Sequence, residues 1–155
     1  MKACVSRIGS KRNRISENRV KRITAENHMT DQYYGKVVAA VRTLLEKDRV
    51  VKPVDVFVKL DLLKPQHLTD WRAGRVPYLE KVIQCNLGKT SRILRILRLH
   101  AHDLKLHESI TVYKHRSHLL RFSKTHEPKI EEAYSRHFIG QMVRSPRFER
   151  GNGQV

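Results

Sequence analysis

Acidic residues are scarce in this chain: 15 Asp and Glu stand against 32 Lys and Arg, a formal net charge of +17 over 155 residues. A compact fold with that excess repels itself unless something anionic lies nearby, so nucleic acid is the leading partner class. Cysteine is nearly missing. Cys4 and Cys85 form no Cys-x-x-Cys, which leaves no zinc knuckle or dithiol redox motif and favours reduced thiols. No run of about 18 apolar residues occurs, so no membrane-spanning helix is expected. The start of the chain lacks a signal-peptide core, and Glu17 and Glu26 interrupt a transit-peptide pattern, so a cytoplasmic location is expected. Aromatic residues make up only 6% and are not interleaved with basic ones. Single-strand stacking platforms need that interleaving, so DNA is preferred over RNA.

The hydrophobic fraction of 39% supports one domain with a core. Charge divides the chain into a basic arm at 1–29, a globular domain at 30–139 and a basic tail at 140–155. Arm and tail offer too little apolar surface to offset ordering and are expected to be disordered. The middle keeps 21 Lys and Arg against 12 acids, so the basic character belongs to the domain as well as its ends.

The expected fold is mainly α, a helical bundle with a small β-hairpin near residues 110–123. Thr30 or Asp31 caps a helix whose Tyr34, Val37, Val38, Val41, Leu44 and Leu45 follow one buried face. Pro53, Pro65 and Pro77 each suit a first helical position. They open a short helix carrying Val54, Phe57 and Val58, a second carrying Leu68 and Trp71, and a third carrying Leu79, Val82, Ile83 and Leu87. Gly74 and Gly88 are placed as helix stops. The run Ser91 to Leu106 is amphipathic, with Ile93, Leu94, Leu97, Ala101 and Leu104 opposite Arg92, Arg95, Arg98, His102 and Lys105. Alternation from Ile110 to His115, followed by Leu120 and Phe122, predicts the hairpin. A last helix begins at Pro128 and buries Ile130, Ala133, Tyr134, and His137 or Phe138.

The pattern Leu68, Trp71, Gly74, Pro77, Leu79 resembles the local signature of Cro and phage-repressor type helix-turn-helix domains, over about residues 54–83. Leu62 and Lys64 stand where that family has a turn glycine and a capping serine. The resemblance implies a helix-turn-helix centre whose second helix faces DNA. Independently of it, Gln66, Thr69 and Arg72 beside Arg75 offer base-edge and phosphate contacts, since Gln pairs with adenine and Arg with guanine in the major groove. Lys89, Arg92, Arg95 and Arg98 are expected to add phosphate charge.

Other chemistry has weaker support. His100 and His102 lie two apart on a helix and diverge, and His115 and His118 have no cysteine pair to close a structural site, so no metal or other cofactor is expected. Asp103, Glu108, Glu127, Glu131 and Glu132 are scattered among helix ends and exposed faces, a poor basis for a metal-dependent nuclease. Glu131 and Glu132 suit the first turn of a helix. Cys85 reads as an inert thiol rather than a nucleophile. No serine elbow, phosphate-binding glycine loop or dinucleotide fingerprint is present. The expectation is a non-enzymatic DNA-binding protein, with a protein-interaction module as the alternative. The sequence does not set the oligomeric state.

Overall fold

The computed structural model describes residues 22–141. The expected arm up to residue 21, with Cys4, and the tail beyond Gln141 lie outside them. The packed chain begins earlier than charge alone places it: Ile23 and His28 are buried, and His28 Nε2 lies 2.7 Å from Asp103 Oδ2.

Helix α1 (Tyr34–Asp48) buries Val37, Ala40, Val41 and Leu44, as its three-and-four spacing predicts. It ends where Arg49 turns left-handed (φ 55°) and donates its N–H to the Leu45 carbonyl. Strand β1 (Val50–Val51) follows, then α2 (Pro53–Lys59), which opens on proline and buries Pro53, Val54, Val56 and Phe57. Asp61 takes the left-handed turn (φ 58°), and α3 (Pro65–Arg72) opens on proline again.

The helix expected from Pro77 is not formed; only a 3-10 turn spans Leu79–Lys81. The Leu79 and Glu80 amides instead donate to the carbonyls of Arg121 and Phe122, at 3.1 and 2.9 Å. A helix opening at Pro77 would bond the Glu80 amide to the Val76 carbonyl and leave the Leu79 amide without an intrahelical acceptor; here the distant segment takes both. Helix α4 (Leu87–Asp103) starts earlier than expected, because the Asn86 side chain caps it by accepting from the Lys89 amide. Gly88 therefore lies inside the first turn rather than at a stop.

Strand β2 (His107–Ile110), a short hairpin of β3 (Lys114–His115) and β4 (His118–Leu119), helix α5 (Pro128–Ser135) and strand β5 (Arg136–Ile139) complete the fold. The sheet order is β1-β5-β2, antiparallel throughout, with Phe138 opposite both Val51 and Glu108. A helical bundle is therefore the wrong description. Helix accounts for 51% and strand for 12% of the described residues, in two sheets, and the fold is mixed α/β. The last strand was hidden because Arg136, His137 and Phe138 are all buried in its centre. Such a run lacks the alternation that marks a half-exposed strand. His137 and Phe138 belong to β5, not to the helix before it.

The core is centred on aromatic rings. Trp71 and Phe122 lie 4.9 Å apart, Phe122 stacks on Tyr134 at 5.2 Å, and Tyr134 reaches Phe57 at 6.0 Å. Glu131 ties the loop before α5 to that core, accepting from the Phe122 and Ser123 amides and the Ser123 hydroxyl. Its role is to hold this loop, beyond the helix-dipole effect its position suggested. No helix among the described residues is long and apolar enough to cross a membrane.

Candidate nucleic-acid interface

Helix α3 carries the expected base-reading residues, and its inner side is firmly anchored. Trp71 is fully buried, its indole N–H donates to the Arg121 carbonyl at 2.8 Å, and Leu68 is half-buried. Gln66, Thr69 and Arg72 are consequently left exposed. Just past the C-cap Ala73, Gly74 takes the left-handed conformation (φ 74°), with the Gly74 and Arg75 amides donating to the Trp71 and Asp70 carbonyls.

Asp70 organises this outer face. Its Oδ1 accepts from Gln66 Nε2 at 3.3 Å and from Arg75 Nη1 at 3.0 Å. Arg75 is 69% exposed, so the ion pair is worth at most about 1 kcal/mol and yields to a phosphate at little cost. The Thr69 hydroxyl donates back to the Pro65 carbonyl. Arg72 lies close enough to Tyr113 and His137 to act on both electrostatically.

The cations of α4 have partners within the fold. Lys89 sits over the Tyr33 ring at 5.0 Å, Arg92 pairs with Asp31 through Nε at 2.6 Å, and Arg95 donates to the Ile23 carbonyl. All three seat the N-terminal segment on α4. Only Arg98 faces another part of the fold, with its Nε 3.5 Å from Glu108. Helix α4 packs on α1, whereas α3 lies under the β3–β4 hairpin. The two expected groups of contacts thus belong to different parts of the molecule.

The hairpin adds basic residues that the sequence reading left out of the site. A methyl group on Gly74 would come within 3.2 Å of the His115 ring, and Trp71 lies 5.5 Å from Tyr113. These contacts place exposed Lys114, Arg116 and Arg121 beside the C-terminal end of α3. The alternation around Tyr113 signalled a strand pair, but its packing partner was not legible.

The histidines are dispersed. His100 is buried edge-on to Tyr34, His102 is exposed, and His115 and His118 pair across the hairpin turn. Burial lowers the pKa of His100, partly opposed by Asp103. Burial also lowers that of His137, helped by Lys52 and Arg72; its Nε2 lies 2.6 Å from the Tyr113 hydroxyl and its Nδ1 3.1 Å from that of Thr111. Burial pushes the Tyr113 phenol up to about 12. Cys85 is half-buried, with Sγ 3.1 Å from the Thr90 hydroxyl. Compared with known protein families, curated proteins and solved structures, the chain matches none.

Proposed function

We propose that the protein binds nucleic acid, duplex DNA in preference to RNA, through the outer face of α3, without catalysing a reaction. The observation that carries this reading is the exposure of Gln66, Thr69 and Arg72 on a helix whose other side is anchored by Trp71. Base-edge contacts need donors and acceptors held at fixed positions, and a helix backed by a buried indole holds them. The excess of cations supplies attraction to phosphate, with Arg72, Arg75, Arg95 and Arg98 among the expected residues that are exposed. The resemblance to phage-repressor type domains enters this proposal for the α2–α3 pair alone. A cytoplasmic location goes with it.

The test is the affinity of the full chain for duplex DNA of unrelated sequences across a salt series, with a matched RNA duplex alongside. Binding whose logarithm falls linearly with the logarithm of salt is expected for phosphate neutralisation. Gln66→Ala and Arg72→Ala are expected to change the preference among sequences. Absence of binding at low salt removes the proposal and leaves the protein-interaction alternative.

A further inference from the structure

The β3–β4 hairpin has two faces of different chemistry. Tyr113, His115 and Leu120 are partly buried, and Tyr113 and His115 pack on Trp71 and Gly74 of the α3 end. Val112, Lys114, Leu119 and Arg121 alternate with them and are exposed, Val112 at 62% and Leu119 at 61%. Lys114 stands directly opposite Leu119, and Arg116 makes the turn in a left-handed conformation (φ 54°). Lys114 and Arg116 have no acidic partner among the described residues.

Single exposed aliphatic side chains are ordinary on a protein surface. Here two of them share one face with basic residues, on a ribbon packed on the end of α3. The Arg121 carbonyl accepts both the Trp71 indole and the Leu79 amide, so the base of the ribbon is tied at two points. A two-stranded ribbon fits a DNA groove, and apolar side chains beside cations suit the sugar edges and base steps there.

We propose that this outer face is a second nucleic-acid contact beside α3, with Lys114, Arg116 and Arg121 on phosphates and Val112 and Leu119 against sugar and base edges. The inference rests on the reading of α3 above and adds a contact surface to it. It separates two kinds of loss, because counterion release counts cations and not aliphatic contacts. The salt slope of Lys114→Ala/Arg116→Ala should be shallower than wild type by about two. Val112→Ser/Leu119→Ser should lose about ten-fold in affinity with its slope unchanged.

The experiment is fluorescence anisotropy of the full chain on a labelled mixed-sequence duplex over a salt series, with far-UV circular dichroism showing that each variant is folded. Shallower slope in the first variant and lost affinity at constant slope in the second support the hairpin contact. Wild-type binding that neither variant alters overturns the hairpin and leaves the α3 reading standing. Failure of the wild-type chain to bind any duplex overturns both. Unaltered duplex binding together with binding to phosphatidylserine vesicles, lost in Val112→Ser/Leu119→Ser, overturns the hairpin in favour of a lipid surface.

Discussion

Replacing Arg92 by Met separates a structural role from a phosphate-binding one. The methionine retains much of the apolar stem and removes the guanidinium, which leaves the Asp31 carboxylate, only 1% exposed, without its counter-charge. The Tyr33 amide still donates to that carboxylate at 2.9 Å, which offsets part of the loss. Removing one partner of a fully buried pair costs about 3–5 kcal/mol, and an exposed pair costs at most about 1 kcal/mol. The Arg92 side chain is 21% exposed, so the expected destabilisation is about 2–4 kcal/mol. That corresponds to a fall in Tm of roughly 10 °C for a domain of this size. Urea unfolding of the full chain measures it directly. Asp31→Asn in the Arg92→Met background should recover stability, since the buried charge is then gone. The reasoning fails if Arg92→Met unfolds within about 0.5 kcal/mol of wild type. A salt slope shallower by about one in that variant would then mark Arg92 as a phosphate contact.

Gly74→Ala forces a side chain into a left-handed backbone (φ 74°) and to within 3.2 Å of His115. A loss of about 1–2 kcal/mol is expected, and hydrogen exchange should quicken between Tyr113 and Leu119; unchanged exchange and stability would refute the contact. The pH dependence follows from His137 and His100, both held below the ordinary value of 6.5, chiefly by burial. The unfolded chain takes up protons at a pH where the folded chain keeps these rings neutral. Their contribution is therefore fully present above 6.5 and declines as pH falls through that value towards the lowered folded values. Urea midpoints between pH 7.5 and 5.5 measure the decline, which His137→Gln should flatten; an equal slope in that variant would rule out His137 as a source.

Much of the local structure was legible because its causes are local. The apolar stripe of α1, the prolines that open α2, α3 and α5, the left-handed Gly74 and the core position of Trp71 each depend on a few adjacent residues. The third helix failed for the opposite reason, since Arg121 and Phe122 supply acceptors some forty residues away from the Leu79 and Glu80 amides. The candidate site was legible in the same proportion. Exposure of Gln66, Thr69 and Arg72 followed from burying Trp71, whereas the hairpin cations join them only through packing on Gly74.

By itself the sequence determined the charge excess, the amphipathic faces of α1 and α4, and the prolines that open α2, α3 and α5, because composition, periodicity and terminal chemistry are properties of short stretches. Only the tertiary structure decided which cations face solvent and which serve the fold. Arg92 and Asp31 are 61 positions apart, and Arg95 reaches a carbonyl 72 positions away. It also decided the sheet, whose central strand β5 is the last element among the described residues and pairs with two segments earlier in the chain. A charge or a backbone amide has the same local pattern whether its partner is water or a distant residue, and chain folding makes that choice.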